Sequence, residues 1–180
     1  MNIKNTLGRV AGIAAAAVAI AGLGFTSAAS ASTTSPAATV ARGCSFQTYN
    51  GHYLTAVGGG GRTTDVIHTD AVTVGAWEKF SVVFTTAGPH VYGFQTYNGH
   101  YLTAVGGGGR ITDVIHSDAP WLRGWEQFTL NYLGNGQYSI ETLNGHYLTA
   151  VGGGGRITDT IHSDATRVGS WEKFRISCSA

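Results

Sequence analysis

Apolar and polar residues alternate in short runs after residue 43, with the period of two that is typical of strands with one buried face. In residues 65–71, Ile67 and Thr69 share one face, whereas His68 and Asp70 share the other. Asn-Gly turns and glycine-rich loops interrupt these runs, and no segment in this part of the chain shows the spacing of an amphipathic helix. The pattern therefore predicts an all-β domain.

One segment occurs three times along the chain. The sequence N-G-H-Y-L-T-A-V-G-G-G-G-R occupies residues 50–62 and recurs unchanged at 98–110 and 144–156. The copies begin 48 and then 46 residues apart, and a period of this size indicates a repeat architecture. Propellers need about four to eight blades, whereas three copies with joined ends describe a closed object of pseudo-threefold symmetry.

Each copy predicts four short strands, separated by the Asn-Gly turn, the loop of four glycines and a turn near Gly75. In the first copy the predicted strands are 44–49, 52–57, 65–71 and 78–84. Twelve such strands in three units are the architecture of a β-trefoil, a short barrel closed at one end by hairpins. The predicted core consists of four positions in each copy, represented in the first by Phe46, Leu54, Ile67 and Phe80.

The start of the chain has the three-part pattern of a secretory signal peptide. Lys4 and Arg9 precede an apolar run at 10–25, and Ala29-Ser30-Ala31 supplies a cleavage signal. The alternative is a membrane anchor, but the run of about 16 residues is shorter than the roughly 20 that a span requires. We therefore expect cleavage after Ala31, a secreted extracellular protein and no membrane span.

The remaining chain is divided by composition. Residues 32–43 are small and polar and are predicted to form a flexible leader, and residues 44–180 are predicted to form the β-trefoil domain. The predicted repeats are 44–93, 94–139 and 140–180.

The two cysteines, Cys44 and Cys178, stand at the two ends of the predicted domain. In an oxidising compartment this placement favours a disulfide that joins the ends, and the alternative is a pair of free buried thiols. A disulfide requires Cα atoms within about 7 Å of each other, so the ends of the domain must meet.

Charge excludes one class of partner. The chain has 11 basic and 10 acidic residues. Lys4, Arg9 and Arg42 precede the domain, so residues 44–180 hold 11 − 3 = 8 basic and 10 acidic residues, a net charge of −2 with neutral histidine. Such a domain lacks the basic surface that nucleic acid binding requires, and we expect no nucleic acid partner.

The repeated phrase N-G-H-Y-L-T-A, followed by the glycine loop, a V-I-x-x-D-A strand in the first two copies and W-E-x-F, resembles the fascin-type β-trefoil repeat. The resemblance covers all three repeats and implies the trefoil fold. That family includes the histidine-rich hisactophilins, which bind actin, and similar repeats resemble sugar-binding modules of actinobacterial glycoside hydrolases. This chain has seven histidines, whereas hisactophilins carry dozens, and it lacks the Q-x-W signature of ricin-type lectins.

Candidate binding residues also occur in three copies. His68 and Asp70 lie on the strand face opposite the core, and Tyr53 is near them in the repeat. Together they offer hydrogen-bond donors, acceptors and a ring face, which are the groups that a sugar needs. The predicted ligand-binding residues are Tyr53, His68, Asp70, Tyr101, His116, Asp118, Trp121, Tyr147, His162 and Asp164. The alternatives are a structural His-Asp hydrogen bond and a metal site, and we expect neither metal nor cofactor because one strand supplies too few ligands.

Four tryptophans remain to be placed. Trp77, Trp125 and Trp171 precede the last strand of each copy, where we expect them to plug the barrel end rather than to form a sugar platform. Trp121 has no aromatic counterpart in the other copies, and its position in the turn Ala-Pro-Trp-Leu-Arg predicts an exposed side chain. The alternative is local packing.

The repetition itself bears on function. The chain contains no G-x-S-x-G or H-E-x-x-H motif, and an active site usually needs one unique set of residues. Three copies of the same polar groups instead favour multivalent binding. We therefore expect a monomeric carbohydrate-binding module for polysaccharide or cell-surface glycan, and no enzyme. The alternative is a protein-interaction module that uses one asymmetric surface around Trp121.

Overall fold

Twelve strands carry the fold of residues 40–179, the part of the chain that the computed structural model describes. Every strand pair is antiparallel. The strands are β1 Val40–Gln47, β2 Tyr53–Ala56, β3 Ile67–Ala71, β4 Phe80–Phe84, β5 Val91–Gln95, β6 Tyr101–Ala104, β7 Ile115–Ala119, β8 Phe128–Gly134, β9 Gln137–Glu141, β10 Tyr147–Ala150, β11 Ile161–Ala165 and β12 Phe174–Cys178. Within the described range, the helices are single 3-10 turns at Val57–Gly59, Val105–Gly107, Gly124–Glu126 and Val151–Gly153. The predicted all-β class is confirmed.

Six of the strands close a barrel. Strand β1 pairs with β4 and β12, β5 pairs with β4 and β8, and β9 pairs with β8 and β12. The other six form the hairpins β2–β3, β6–β7 and β10–β11. A six-stranded barrel with three hairpins at one end is a β-trefoil, so the predicted fold is confirmed.

Main-chain hydrogen bonds connect each hairpin to the next around the pseudo-threefold axis. The Gly61 N–H donates to the Ser117 carbonyl, and the Ser117 N–H donates to the Arg62 carbonyl. The same pair of bonds joins Gly109 and Arg110 to Ser163, and Gly155 and Arg156 to Thr69. The backbone at the end of each glycine loop therefore pairs with the third strand of the following repeat.

The predicted core positions are all buried. Phe80 and Phe94 each lie in edge contact with Phe46, with ring centroids 5.4 and 5.0 Å from the Phe46 centroid. Each of the twelve core side chains is at least nine-tenths buried: Phe46, Leu54, Ile67, Phe80, Phe94, Leu102, Ile115, Phe128, Ile140, Leu148, Ile161 and Phe174. The period-two alternation correctly identified which face of each strand is buried.

The disulfide between Cys44 and Cys178 is present, with Cα atoms 3.8 Å apart. The two cysteines face each other in the pairing of β1 with β12, so the ends of the domain meet as predicted.

Three predicted boundaries differ from the limits of the strands. Strand β1 begins at Val40, inside the predicted leader, because Val40 and Ala41 continue the pairing with Val83 and Val82 of β4. The predicted repeat limits at 93 and 139 fall inside β5 and β9. The predicted signal peptide at 1–31 lies outside the described residues. Within residues 40–179, no helix is long and apolar enough to cross a membrane.

Candidate functional site

The four-glycine loop of each repeat is held by the Asn-Gly turn of the following repeat. The Asn98 side-chain amide donates to the carbonyl oxygens of Gly58 and Gly60 over 3.0 and 3.3 Å, and the Asn98 backbone N–H donates to Gly59. Asn50 and Asn144 hold the loops of the third and second repeats in the same way. These hydrogen bonds fix the backbone of the loop and thereby the position of the residues that follow it.

A cluster of three charged or ionisable side chains follows each loop. The Asp65 carboxylate lies 2.7 Å from His68 Nε2 through one oxygen and 3.4 Å from Arg62 Nη2 through the other. Asp65 has a positive φ of 50°, a conformation that aspartate tolerates better than most residues. We call these groups the Arg-Asp-His clusters: Arg62, Asp65 and His68; Arg110, Asp113 and His116; Arg156, Asp159 and His162.

The clusters are exposed and nearly identical. Each carboxylate is about half exposed, at 50–51%, and each histidine side chain is 25–26% exposed. They lie on the hairpin end of the barrel, because the Arg62 backbone pairs with Ser117, the residue after His116. Three polar sites therefore surround the pseudo-threefold axis on one face, which we call the cap face.

The predicted site histidine is hydrogen-bonded to an aspartate outside its strand. His68 and Asp70 share the outer face of β3, but the carboxylate within hydrogen-bond distance of His68 is that of Asp65. Strand β3 begins at Ile67, so Asp65 belongs to the preceding turn, whose positive φ directs the carboxylate towards His68. Asp70, Asp118 and Asp164 are exposed on the same strands, and Tyr53, Tyr101 and Tyr147 are partly buried at the starts of β2, β6 and β10.

The sequence contained a signal for these clusters that the strand argument missed. Arg62, Asp65 and His68 are three residues apart, and the same R-x-x-D-x-x-H spacing occurs in all three repeats. The role of every predicted ligand-binding residue stays a prediction.

The three repeated tryptophans do not plug the barrel. Trp77, Trp125 and Trp171 are 46–50% exposed. The inward position is taken instead by the next residue, Glu78 in the first repeat, whose buried carboxylate accepts hydrogen bonds from Thr55 Oγ1 and the Gly75 N–H, each at 2.7 Å. Since the glutamate is directed inwards, the tryptophan ring before it remains at the surface.

A second polar surface lies on the barrel wall, where the last strand of one repeat pairs with the first strand of the next. The cross-strand pairs at these three repeat boundaries are Ser81 with Gln95, Thr129 with Glu141, and Arg175 with Gln47. The buried neighbours Phe80, Phe94 and their counterparts occupy the inner face, so these pairs lie on the outer face of the wall. Sequence reasoning missed this surface, because it depends on which strands pair between repeats.

Trp121 is 68% exposed, as predicted. The neighbouring Leu122 anchors the turn, since its side chain fills the space where a Cβ on Gly93 would lie. The Arg123 N–H donates to the buried Glu126 carboxylate over 2.9 Å. The turn is thus held on both sides of an outward-facing tryptophan.

Two tyrosines of the described range have perturbed acidity. Burial raises the pKa of Tyr92, and burial together with the neighbouring Tyr132 and Tyr92 raises the pKa of Tyr138. Tyr92 contacts Phe84 and Tyr138 contacts Tyr132, so both belong to aromatic packing rather than to the clusters.

Comparisons with known proteins identify the fold. No family model matches the chain, and no curated protein matches it. Among solved structures it is similar to the designed threefold-symmetric protein ThreeFoil, with 13% identity, a TM-score of 0.61 and coverage of 74% of this chain and 96% of that chain. It is also similar to SeviL bound to asialo-GM1 saccharide, with 14% identity, a TM-score of 0.56 and coverage of 77% and 98%.

A third similar structure is the Rhizoctonia solani agglutinin, with 14% identity, a TM-score of 0.61 and coverage of 81% of this chain and 98% of that chain. Identities this low show a shared fold, and the fold is the β-trefoil. The resemblance of the repeats to the fascin type stays a prediction.

Proposed function

We propose that this protein is a secreted carbohydrate-binding module without enzymatic activity, and that the three Arg-Asp-His clusters are its equivalent glycan sites. The observation that carries the proposal is the recurrence of one exposed, hydrogen-bonded cluster three times with the same distances. A β-trefoil needs no such cluster to close its barrel, since the barrel closes through strand pairing and the apolar core.

The chemistry of the cluster suits sugar hydroxyl groups. The Asp65 carboxylate accepts hydrogen bonds, and the Arg62 guanidinium donates them in a planar array. Adjacent hydroxyls on a pyranose ring can donate to the first and accept from the second. Because His68 and Arg62 already hold Asp65, less conformational freedom is lost when a ligand binds.

Three further observations support this class of function. SeviL was solved with a saccharide and the Rhizoctonia solani protein is an agglutinin, so the fold that this chain shares with them is used for glycan binding elsewhere. The Cys44–Cys178 disulfide suits an oxidising, extracellular compartment. Repetition of one cluster favours avidity over catalysis, which usually needs a unique set of groups.

Replacement of all three cluster aspartates tests the proposal. The combined variant Asp65→Asn, Asp113→Asn and Asp159→Asn should lose at least about tenfold in affinity on a glycan array, because it removes the charged acceptor from every site. Asparagine also tolerates the positive φ at these positions, so the fold should be retained, which circular dichroism would check.

A comparison variant removes the same number of charges from three other aspartates, those that the sequence predicts to bind ligand. The variant Asp70→Asn, Asp118→Asn and Asp164→Asn should lose less than about threefold, because these exposed carboxylates do not hold the histidines. Equal losses in both variants would assign the effect to net charge and contradict the cluster as the site.

Trp121 supports a second candidate function, a protein-interaction surface. Its ring is exposed on an anchored turn, and aromatic side chains of this kind are enriched at interface hot spots. For this function, Trp121→Ala should abolish capture of a protein partner and leave glycan-array binding unchanged. Loss of glycan binding in Trp121→Ala would instead place this ring in a sugar site.

A further inference from the structure

We propose that two of the three repeat boundaries on the barrel wall bind an acidic sugar, one that carries a carboxylate or sulfate group, and that the remaining boundary does not. The inference deepens the proposed function, on which it rests, by naming a class of glycan and a second set of sites. These wall sites are separate from the Arg-Asp-His clusters, which lie on the cap face.

Strand register makes the three boundaries directly comparable. Ser81 faces Gln95 at the first boundary, Thr129 faces Glu141 at the second, and Arg175 faces Gln47 at the third. Residues two positions away along each strand share the same face. Each wall site therefore also includes the residue just before β4, β8 or β12 and the residue two positions beyond the end of β5, β9 or β1.

Cations occupy two of the boundaries. The first has Lys79 before Ser81, and Arg42 lines the same surface groove as Lys79, Gln95 and Tyr97. The third has Lys173 before Arg175. The first boundary thus carries one cation at its wall positions and a second in the adjoining groove, and the third carries two cations at its wall positions. Neither boundary has an acidic residue at these positions. Because the domain as a whole has a net negative charge, the positive charge at these two boundaries is a local feature of the surface.

Aromatic rings accompany those cations. Tyr97 at the first boundary is 67% exposed and Tyr49 at the third is 61% exposed, and the half-exposed Trp77 and Trp171 stand two residues before Lys79 and Lys173. A pyranose ring can place its C–H groups on such a ring while its anionic group pairs with the cations. Cations beside exposed aromatic rings are what an acidic sugar requires.

The amide at each cationic boundary is already oriented. Gln95 Nε2 donates to the Gly99 carbonyl, and Gln47 Nε2 donates to the Gly51 carbonyl, both at 2.8 Å. One of the two N–H groups of each amide is engaged, which fixes the orientation of the amide and leaves its oxygen to accept a hydrogen bond from a ligand hydroxyl. The same hydrogen bond at both boundaries indicates one site built twice.

The second boundary keeps a half-exposed tryptophan, Trp125, but it has lost the lysine, the tyrosine and the glutamine. Gln127 replaces the lysine, Leu143 replaces the tyrosine, and Glu141 replaces the glutamine. Glu141 accepts a hydrogen bond from Asn131 over 2.9 Å, and Leu143 lies 3.4 Å from the position where a Cβ on Gly124 would be. The Glu141 carboxylate would repel an anionic group, and no lysine is present at these positions to attract it, so this boundary should not bind the ligand.

Calorimetry of the full secreted protein with two acidic probes tests the inference. Tri-galacturonate supplies carboxylates and a sulfated dextran fragment supplies sulfates, and an uncharged dextran fragment of the same length is the reference. We expect two equivalents of at least one acidic probe to bind per protein, with affinity that falls as salt is raised because exposed charges are screened. Binding of only the carboxylate or only the sulfate probe would identify the anion.

The second boundary supplies the matched substitutions. Transplanting its residues into the first boundary, as Lys79→Gln, Gln95→Glu and Tyr97→Leu, should reduce the stoichiometry from two to one. The reverse transplant gives the second boundary the residues of the third, as Gln127→Lys, Thr129→Arg, Glu141→Gln and Leu143→Tyr, and should raise the stoichiometry to three. A gain of binding cannot arise from misfolding, so the reverse variant keeps the test decisive even if the first variant is unstable.

The outcomes separate this inference from the proposed function. Acidic binding that survives in the Asp65→Asn, Asp113→Asn and Asp159→Asn variant, and falls from two equivalents to one on the first-boundary transplant, supports the wall sites even if the clusters bind nothing. A stoichiometry of three in the unmodified protein, equal affinity for the uncharged probe, or no change on either transplant would overturn the inference.

Discussion

Replacing both cysteines, as Cys44→Ala and Cys178→Ala, should lower the free energy of unfolding by about 4–5 kcal/mol. The bridge joins residues separated by 134 positions, so its removal releases the ends of nearly the whole domain in the unfolded chain. In the chain-entropy account, a loop of this size lies near the upper limit of disulfide stabilisation. Urea denaturation of the oxidised protein and the double variant measures the difference.

The adjacent residue pair provides the control. Ser45 faces Ser177 in the same pairing of β1 with β12, and the Ser45 hydroxyl donates to the Ser177 carbonyl. The double variant Ser45→Ala and Ser177→Ala removes side chains from that location without cutting a covalent link, and should cost less than about 1.5 kcal/mol. A loss of that size in the cysteine variant would show that strand pairing alone holds the ends together. Non-reducing mass spectrometry should find the oxidised protein two hydrogens lighter than the reduced form.

The scaffold was predictable because its causes are local and repeated. Period-two alternation identifies Phe46 and Phe80 as inward-facing whichever strand lies beside them, and three copies of the pattern give three chances to recognise it. Cys44 and Cys178 bracket the repeats, so closure of the barrel and closure of the disulfide require the same geometry. Fold class, core and bridge therefore follow from sequence without knowledge of the pairing between repeats.

The candidate sites were less predictable because they depend on backbone conformation and register. The partner of His68 is decided by the positive φ of Asp65, which alternation along a strand cannot represent. Trp77 was misplaced because a buried carboxylate, Glu78, occupies the inward position usually assigned to an apolar ring. The wall sites become visible only once Ser81 is known to face Gln95 across two repeats.

One glycine in each four-glycine loop packs against a threonine of the neighbouring repeat. Gly60 has a φ of +99°, and a Cβ there would overlap the Thr96 side chain of the following repeat. Gly108 and Gly154 have the same relation to Thr142 and Thr48. Two independent constraints therefore require glycine at this position of each loop. One is its positive φ, and the other is the threonine side chain of the neighbouring repeat.

Gly60→Ala should consequently destabilise the protein by about 2–6 kcal/mol, with about 1–3 kcal/mol from backbone strain and a similar amount from the overlap with Thr96. Gly134→Ala is the matched control, because Gly134 has a φ of +94° and nothing lies within 4 Å of its Cβ position. It should cost only the backbone part, about 1–3 kcal/mol. Urea denaturation of both variants measures the difference, which reports how strongly one repeat supports the next. Equal losses would mean that Thr96 moves aside freely and that the loops do not couple the repeats.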